Sequence, residues 1–190
     1  EFHILMNSSF SHKKSPKIFR NLRLINPDKK VVYCKKCVLS NQRPRTMFNE
    51  EGICAPCLYA EFKKTGIDWD KREKELENLC GKHRSKDGSW DVVVPGSGGK
   101  DSAYVSLMLK EKYGMNPLTV TWAPHVYTDI GWKNFQNWIH IGGFDNYLFT
   151  PNGKIHRYLT RRPVINILHP FQPFILGQNS FPLKVAIQNK

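Results

Sequence analysis

Several absences bound what this 190-residue chain is. No apolar run approaches the ~18 residues of a membrane-spanning helix, so no such span is expected. The opening Glu1-Phe2-His3-Ile4-Leu5-Met6 has too short an apolar patch for a secretory signal and no cleavage-site pattern, which points to the cytoplasm. It starts on Glu1 where an initiator Met would stand, as after processing or truncation. No cysteine follows Cys80, so nothing beyond it can supply a nucleophilic or cluster-binding thiol. No internal repeat appears, and residues 151–190 hold six Lys or Arg and no acid.

The basic excess, a formal net charge of +13, is uneven. Residues 1–33 carry seven Lys or Arg against Glu1 and Asp28, whereas Asp91 to Thr150 hold four basic and five acidic residues. Such asymmetry suits an anionic partner or a solvated tail. RNA and a nucleotide sugar both answer to that description.

The cysteines say more. Cys34-Lys35-Lys36-Cys37 and Cys54-Ala55-Pro56-Cys57 lie sixteen residues apart, the spacing of a structural zinc site. Four thiolates close a tetrahedron and leave no open position, so the expected Zn²⁺ is structural. Paired disulfides, a redox C-x-x-C and an iron–sulfur cluster are the competing readings. Cys80 falls on the apolar side of a helical pattern, where a buried small hydrophobe is the ordinary outcome.

The second signal is Val92-Val93-Val94-Pro95-Gly96-Ser97-Gly98-Gly99-Lys100-Asp101-Ser102. A β-branched run enters a Gly/Ser turn and a helix begins at once. Backbone N–H groups at such a helix start make a concave site for phosphate oxygens. The Walker pattern fails at Val94 and Asp101, and the dinucleotide fingerprint ends on Asp101 instead of glycine. A flexible surface turn is the bland alternative. Ser97-Gly98-Gly99-Lys100-Asp101-Ser102 resembles the S-G-G-x-D-S signature of PP-loop ATP pyrophosphatases, which implies cleavage of ATP between its α and β phosphates.

Four regions are expected: a basic arm over 1–33, a zinc knuckle pair over 34–60, a helical linker over 61–88 and an ATP-binding domain, truncated, over 89–190. In the linker, Asp68 caps a helix carrying Trp69, Arg72, Leu76, Leu79 and Cys80, which Gly81 ends. Strands are expected at Asp91–Val94, Leu118–Trp122 and Tyr147–Thr150. Helices run between them, from Ser102 to Tyr113 and from Thr128-Asp129 to Gly142-Gly143. Alternating strands and helices predict a parallel, doubly wound α/β sheet with ligands at the carboxyl ends of its strands. After Thr150 the pattern weakens, apart from a helix start near Phe181–Ala186, so the sheet looks incomplete, with apolar surface left exposed.

Further segments resemble one PP-loop family, the N-acetyl sugar amidotransferases of bacterial surface-polysaccharide and flagellar-glycan pathways. Tyr33–Val38, Arg43-Pro44, Phe48–Cys54 and Cys57 are similar to its metal knuckle. Thr121–His125, Thr128–Asn134, Gly142–Asn146, Pro151–Lys154 and Pro173–Gln178 extend the likeness to about residues 33–190. The chain is about half as long as members of that family, and Gly96 and the arm before Tyr33 depart from its pattern.

The resemblance implies a fold like that of adenine nucleotide α-hydrolases and a C–N ligase chemistry. ATP adenylates the acetamido oxygen of an N-acetyl sugar carried on a nucleotide, and ammonia then displaces AMP to leave an acetamidino group. The products serve lipopolysaccharide O-antigen or pseudaminic-acid-type glycans. Ammonia comes from a separate glutaminase subunit, with a cyclase-like barrel as a further partner. Ser97, Gly98, Gly99, Lys100 and Ser102 would hold the ATP phosphates, with Lys100 and Asp101 as the catalytic pair and Asp101 also a ligand for Mg²⁺. His125, Asp129, Asp145 and Asn146 are substrate candidates, while Trp122, Trp132 and Trp138 read as packing residues. Two rival readings stay open. One is a PP-loop tRNA thiolation enzyme, which the net charge favours and the lack of a late cysteine opposes; the other is a zinc-knuckle scaffold without catalysis.

Overall fold

A computed structural model describes residues 16–19 and 21–189; the rest of the expected basic arm lies outside them. The chain forms two compact units, one up to Arg72 and one from Glu73 onward.

The first unit is small and built around sulfur. β1 (Arg23–Leu24) pairs antiparallel with β2 (Met47–Phe48), and α1 (Ala55–Thr65) follows the second cysteine pair. Pro56 suits the first turn of α1, where its missing N–H removes no helical bond, and the Gly66 N–H closes the helix on the Phe62 carbonyl at 2.8 Å. Phe48 is fully buried against Cys34 and Cys54, with Ile25, Leu39 and Ile53 around them. Asn41 is buried and clamps the loops. Its Oδ1 accepts from Val32 N at 2.9 Å, and its Nδ2 donates to the carbonyls of Ile25 at 3.2 Å and Lys30 at 2.8 Å.

α2 (Trp69–His83) starts as expected, with Asp68 Oδ1 accepting from Lys71 N at 2.9 Å. Gly81 does not end it. The helix continues to His83, and a Cβ at Gly81 would meet nothing within 4 Å, so neither packing nor backbone demands a break there. Cys80 is buried.

The second unit is a mixed α/β layer structure. β3 (Val92–Pro95), β4 (Pro117–Trp122) and β5 (Asp145–Phe149) form a parallel sheet in the order β3-β4-β5. α3 (Lys100–Leu107), extended by a π-helical turn over Met108–Lys112, crosses from β3 to β4, and α4 (Asp129–His140) crosses from β4 to β5. Successive residues of the central strand point to opposite faces. Leu118 and Val120 pack with Val185 on one side. On the other, Phe135, Trp138 and Phe144 gather Ala103, Leu107 and Ile139. The edge strand β5 leaves Tyr147, Leu148 and Phe149 each about two-fifths exposed, at 41%, 41% and 38%.

The segment beyond Thr150 corrects the weak pattern expected there. It is helical almost throughout, as α5 (Gly153–Ile167) and α6 (Gln172–Gln188). Each carries an internal proline, Pro163 and Pro182, which argues against a helix when only local propensity is weighed. Tertiary packing overrides that cost: Val185 seals one face of β4. Among the described residues no helix is long and apolar enough to cross a membrane.

Candidate functional site

Two constellations carry chemistry, and each lies within its own unit. In the first, the Sγ atoms of Cys34, Cys37, Cys54 and Cys57 all lie within 4.8 Å of one another. Cys34 and Cys57 are 4.0 Å apart and Cys37 and Cys54 are 3.7 Å apart. Tetrahedral bonds of about 2.3 Å to zinc place sulfurs about 3.8 Å from each other, so the set fits the ion with little adjustment. All four are free cysteines, which sets aside the disulfide reading. The local folding explains the convergence. Cys34 N donates to Leu39 O at 2.8 Å, turning the first knuckle, and Cys57 enters the first turn of α1 with its N–H on Cys54 O at 3.0 Å.

The electrostatics fit a cation as well. Burial pushes the Cys34 thiol up, but the N–H groups of Cys54, Lys36 and Cys37 outweigh it and bring the thiol down to about 6. Two of these contacts are short, 3.3 Å from Cys54 N and 3.4 Å from Lys36 N. Cys57 is pushed up to about 12, first by hydrogen bonding among the sulfurs of Cys37 and Cys54, and Cys54 is raised by burial. A cluster that favours one thiolate and resists the next ones suits completion by a divalent ion.

The second constellation is the turn between β3 and α3. Gly96 N continues the ladder onto Val120 O at 2.9 Å, and Gly99 caps α3. Gly98 has φ +78°, and a Cβ there would sit 2.6 Å from Phe135 Cα and 2.8 Å from Phe135 N on α4. At Gly96 a Cβ would reach within 2.6 Å of the Trp138 ring. The seat beneath is fixed by Trp138 Nε1 donating to Ser106 Oγ at 2.8 Å, whose own hydroxyl donates to Ser102 O at 2.8 Å. This packing accounts for the glycine at 96 that the resemblance leaves unexplained.

Above the turn lies a cavity of about 530 Å³ lined by Ser97, Gly99, Lys100, Asp101 and Ser102 on one side and by Trp122, Gln178 and Asn179 on the other. The first N–H groups of α3 have no partner within the helix, so this end presents donors to an anion. Lys100 Nζ and Asp101 Oδ1 pair at 2.6 Å with both side chains almost fully exposed. Ser102 Oγ donates to Gly99 O at 3.0 Å. The structure thus brings together all the expected loop residues except Gly98, which faces α4. Gln178 and Asn179 were not singled out as ligands from the sequence; they arrive from α6, about eighty positions along the chain. Gly177, beside them, admits the Trp122 ring, where a Cβ would collide.

The four substrate candidates separate. His125 follows β4 and stands beside His156, ring centroids 4.6 Å apart, on a second cavity of about 550 Å³. Asp129 opens α4 after the Thr128 cap and is exposed. Asp145 and Asn146 begin β5, at the end of the parallel sheet away from the turn. Asp145 Oδ2 accepts from Trp90 Nε1 at 2.8 Å, and Asn146 Nδ2 donates to the hydroxyls of Thr119 at 2.9 Å and Thr121 at 3.1 Å. Of the three tryptophans, Trp138 is buried, Trp122 packs on Phe149 and Phe181, and Trp132 is partly exposed but stacks on Phe135.

Fold and site together define a mixed α/β protein with a parallel three-stranded sheet and a four-cysteine cluster suited to a metal ion such as zinc. No protein-family model matches the chain. Over 89 residues it is 34% identical to the uncharacterized protein MJ1599 of Methanocaldococcus jannaschii, a stretch that covers 46% of this chain and 31% of that protein.

Proposed function

We propose that the unit from Glu73 onward binds ATP at the turn between β3 and α3, and that the protein is the synthetase part of an ATP-dependent N-acetyl sugar amidotransferase of the PP-loop type. The observation that carries this reading is the glycine turn pressed onto α4 at the carboxyl end of β3, with a cavity at the start of α3. Ser97 and Ser102 and the N–H groups of Gly99 and Lys100 would hold phosphate oxygens. Lys100 and Asp101 neutralise each other across 2.6 Å and are free to part, the ammonium toward the phosphates and the carboxylate toward Mg²⁺.

The reaction condenses ATP, ammonia and an acetamido sugar into AMP, pyrophosphate and an acetamidino sugar, the acetamido oxygen leaving on AMP. Ammonia would reach the site from a cytoplasmic glutaminase partner. Zinc would close the knuckle over Cys34, Cys37, Cys54 and Cys57 and would take no part in the chemistry.

The test is incubation of zinc-loaded protein with ATP, ammonium and a panel of UDP-N-acetyl sugars. AMP and pyrophosphate should form together with the mass change of acetamido to acetamidino. Formation of AMP only when tRNA and a sulfur donor are supplied would replace this reading with tRNA thiolation. Failure of a non-hydrolysable ATP analogue to bind the metallated protein would end it.

A further inference from the structure

A basic cavity unused by the loop lies where β4 and β5 end and α5 begins. Its walls include His125, His156, Arg157, Thr160 and Arg161, and its volume is about 550 Å³. Arg157 and Arg161 stand four residues apart on α5, and therefore on one helix face. Neither makes an ion pair among the described residues, and no acid occurs in the chain after Asp145. His156 Nε2 is shielded from solvent without a hydrogen-bond partner among the described residues. Leaving such a buried polar atom unpaired is costly, and a ligand atom in the cavity would satisfy it. Burial, and then the neighbouring His125, lower the His156 pKa, so its ring is held neutral.

A third hollow, apolar in character, lies between α5 and α6 and shares lining residues with both cavities. Trp122 lines both the loop cavity and the hollow, while Pro151 and His156 line both the hollow and the basic cavity. Ile155, Leu159 and Leu176 furnish the apolar stretch between. The two donor-lined cavities thus flank an apolar hollow.

We propose that the basic cavity is a second phosphate site, distinct from the loop, in which Arg157, Arg161, His125 and His156 hold the phosphate groups of the second substrate. Guanidinium groups carry five donors in a rigid fork that matches phosphate oxygens, and two of them beside two imidazoles exceed what a single carboxylate can use. The assignment of this anion to a nucleotide-linked sugar rests on the proposed amidotransferase function; the site itself does not.

Titration calorimetry of the zinc-loaded full chain with UDP and with inorganic pyrophosphate tests it. Arg157 and Arg161 are exposed, so the Arg157→Gln/Arg161→Gln variant should keep its far-ultraviolet spectrum and melting temperature. Its affinity for UDP should fall about a hundredfold, the loss of two charge-assisted contacts. The Arg157→Lys/Arg161→Lys variant should recover part of that loss, and Lys100→Ala should lose only pyrophosphate held at the loop, leaving a UDP site that still depends on the two arginines. Tighter binding of UDP than of pyrophosphate would identify a nucleotide as the source of the phosphate. No UDP binding by the parent, equal UDP binding by the glutamine variant, or loss of UDP confined to Lys100→Ala would each overturn the proposal. An ATP analogue that fails to bind while the arginine dependence holds would sink the amidotransferase reading and leave this site standing.

Discussion

Replacing Gly98 by alanine separates the seating of the turn from its ligand-binding face. At φ +78° an L-residue is disfavoured by about 1–2 kcal/mol. The added methyl would also lie 2.6 Å from Phe135 Cα, a backbone atom that cannot swing aside. Either the turn lifts or α4 retreats, and overpacking of this kind costs about 1–3 kcal/mol. Together the two effects amount to about 2–5 kcal/mol, a melting decrease of about 3 °C per kcal/mol for a chain of this length. Gly99→Ala is the control. Its nearest neighbour would be Ser97 Oγ at 3.9 Å and its φ is −72°, so only helix capping is affected, by about 0.5–1 kcal/mol. Urea unfolding of the zinc-loaded protein should therefore rank Gly98→Ala well below Gly99→Ala, while the Gly99 methyl, which faces the cavity, weakens an ATP analogue without large loss of stability. Equal midpoints for the two variants would refute the claim that Gly98 is fixed by its contact with α4.

Four further outcomes are expected. Zinc binding near pH 7 should release at least two protons, because Cys54 is raised and Cys57 is held near 12 in the metal-free protein; calorimetry in buffers of different ionisation enthalpy measures this, and affinity should rise with pH. Chelation should unfold the unit around Phe48, and an unchanged circular dichroism spectrum after verified zinc removal would contradict a structural role. Asn41→Ala strips the partner from Val32 N and from the carbonyls of Ile25 and Lys30, so chemical unfolding of the zinc-loaded protein should show a loss of about 2–3 kcal/mol; a loss below about 0.5 kcal/mol would mean water replaces the amide. Asp91 is pulled up by burial but held below its ordinary 3.8 by the N–H groups of Ser85 and Asn116, at 2.5 and 2.7 Å. A depressed carboxyl stabilises the fold above its unfolded pKa, so Asp91→Asn should be less stable than the parent at neutral pH, with the gap closing as pH falls below about 4.

What the sequence made legible was local. The knuckle follows from two pairs of cysteines at fixed spacing, and the turn follows from small residues between a β-branched run and a helix start; each needs only neighbours to be recognised. The strands showed through because β4 alternates Leu118 and Val120 with Thr119 and Thr121, and its flanking helices end at glycines with positive φ, Gly114 and Gly143. What stayed hidden depends on contacts across the chain. α5 and α6 contain prolines that local propensity penalises, and only the sheet they cover makes them worthwhile. Gln178 reaches the loop cavity because α6 folds back along β4, and no spacing rule links it to Ser97.

Asp145 and Asn146 show the opposite case. They have the residue types of a ligand site, yet a parallel sheet presents its ligands at carboxyl ends, and these two residues sit at the amino end of β5. There, Trp90 and the two threonine hydroxyls already engage them. His156 and Arg157 belong to the stretch where the sequence pattern weakened, but the carboxyl end of β5 and the start of α5 carry them to the correct side of the sheet. Position relative to strand direction, more than residue type, decides which polar groups can meet a substrate. By that criterion the basic cavity outranks Asp145 and Asn146 as the proposed place for a second ligand.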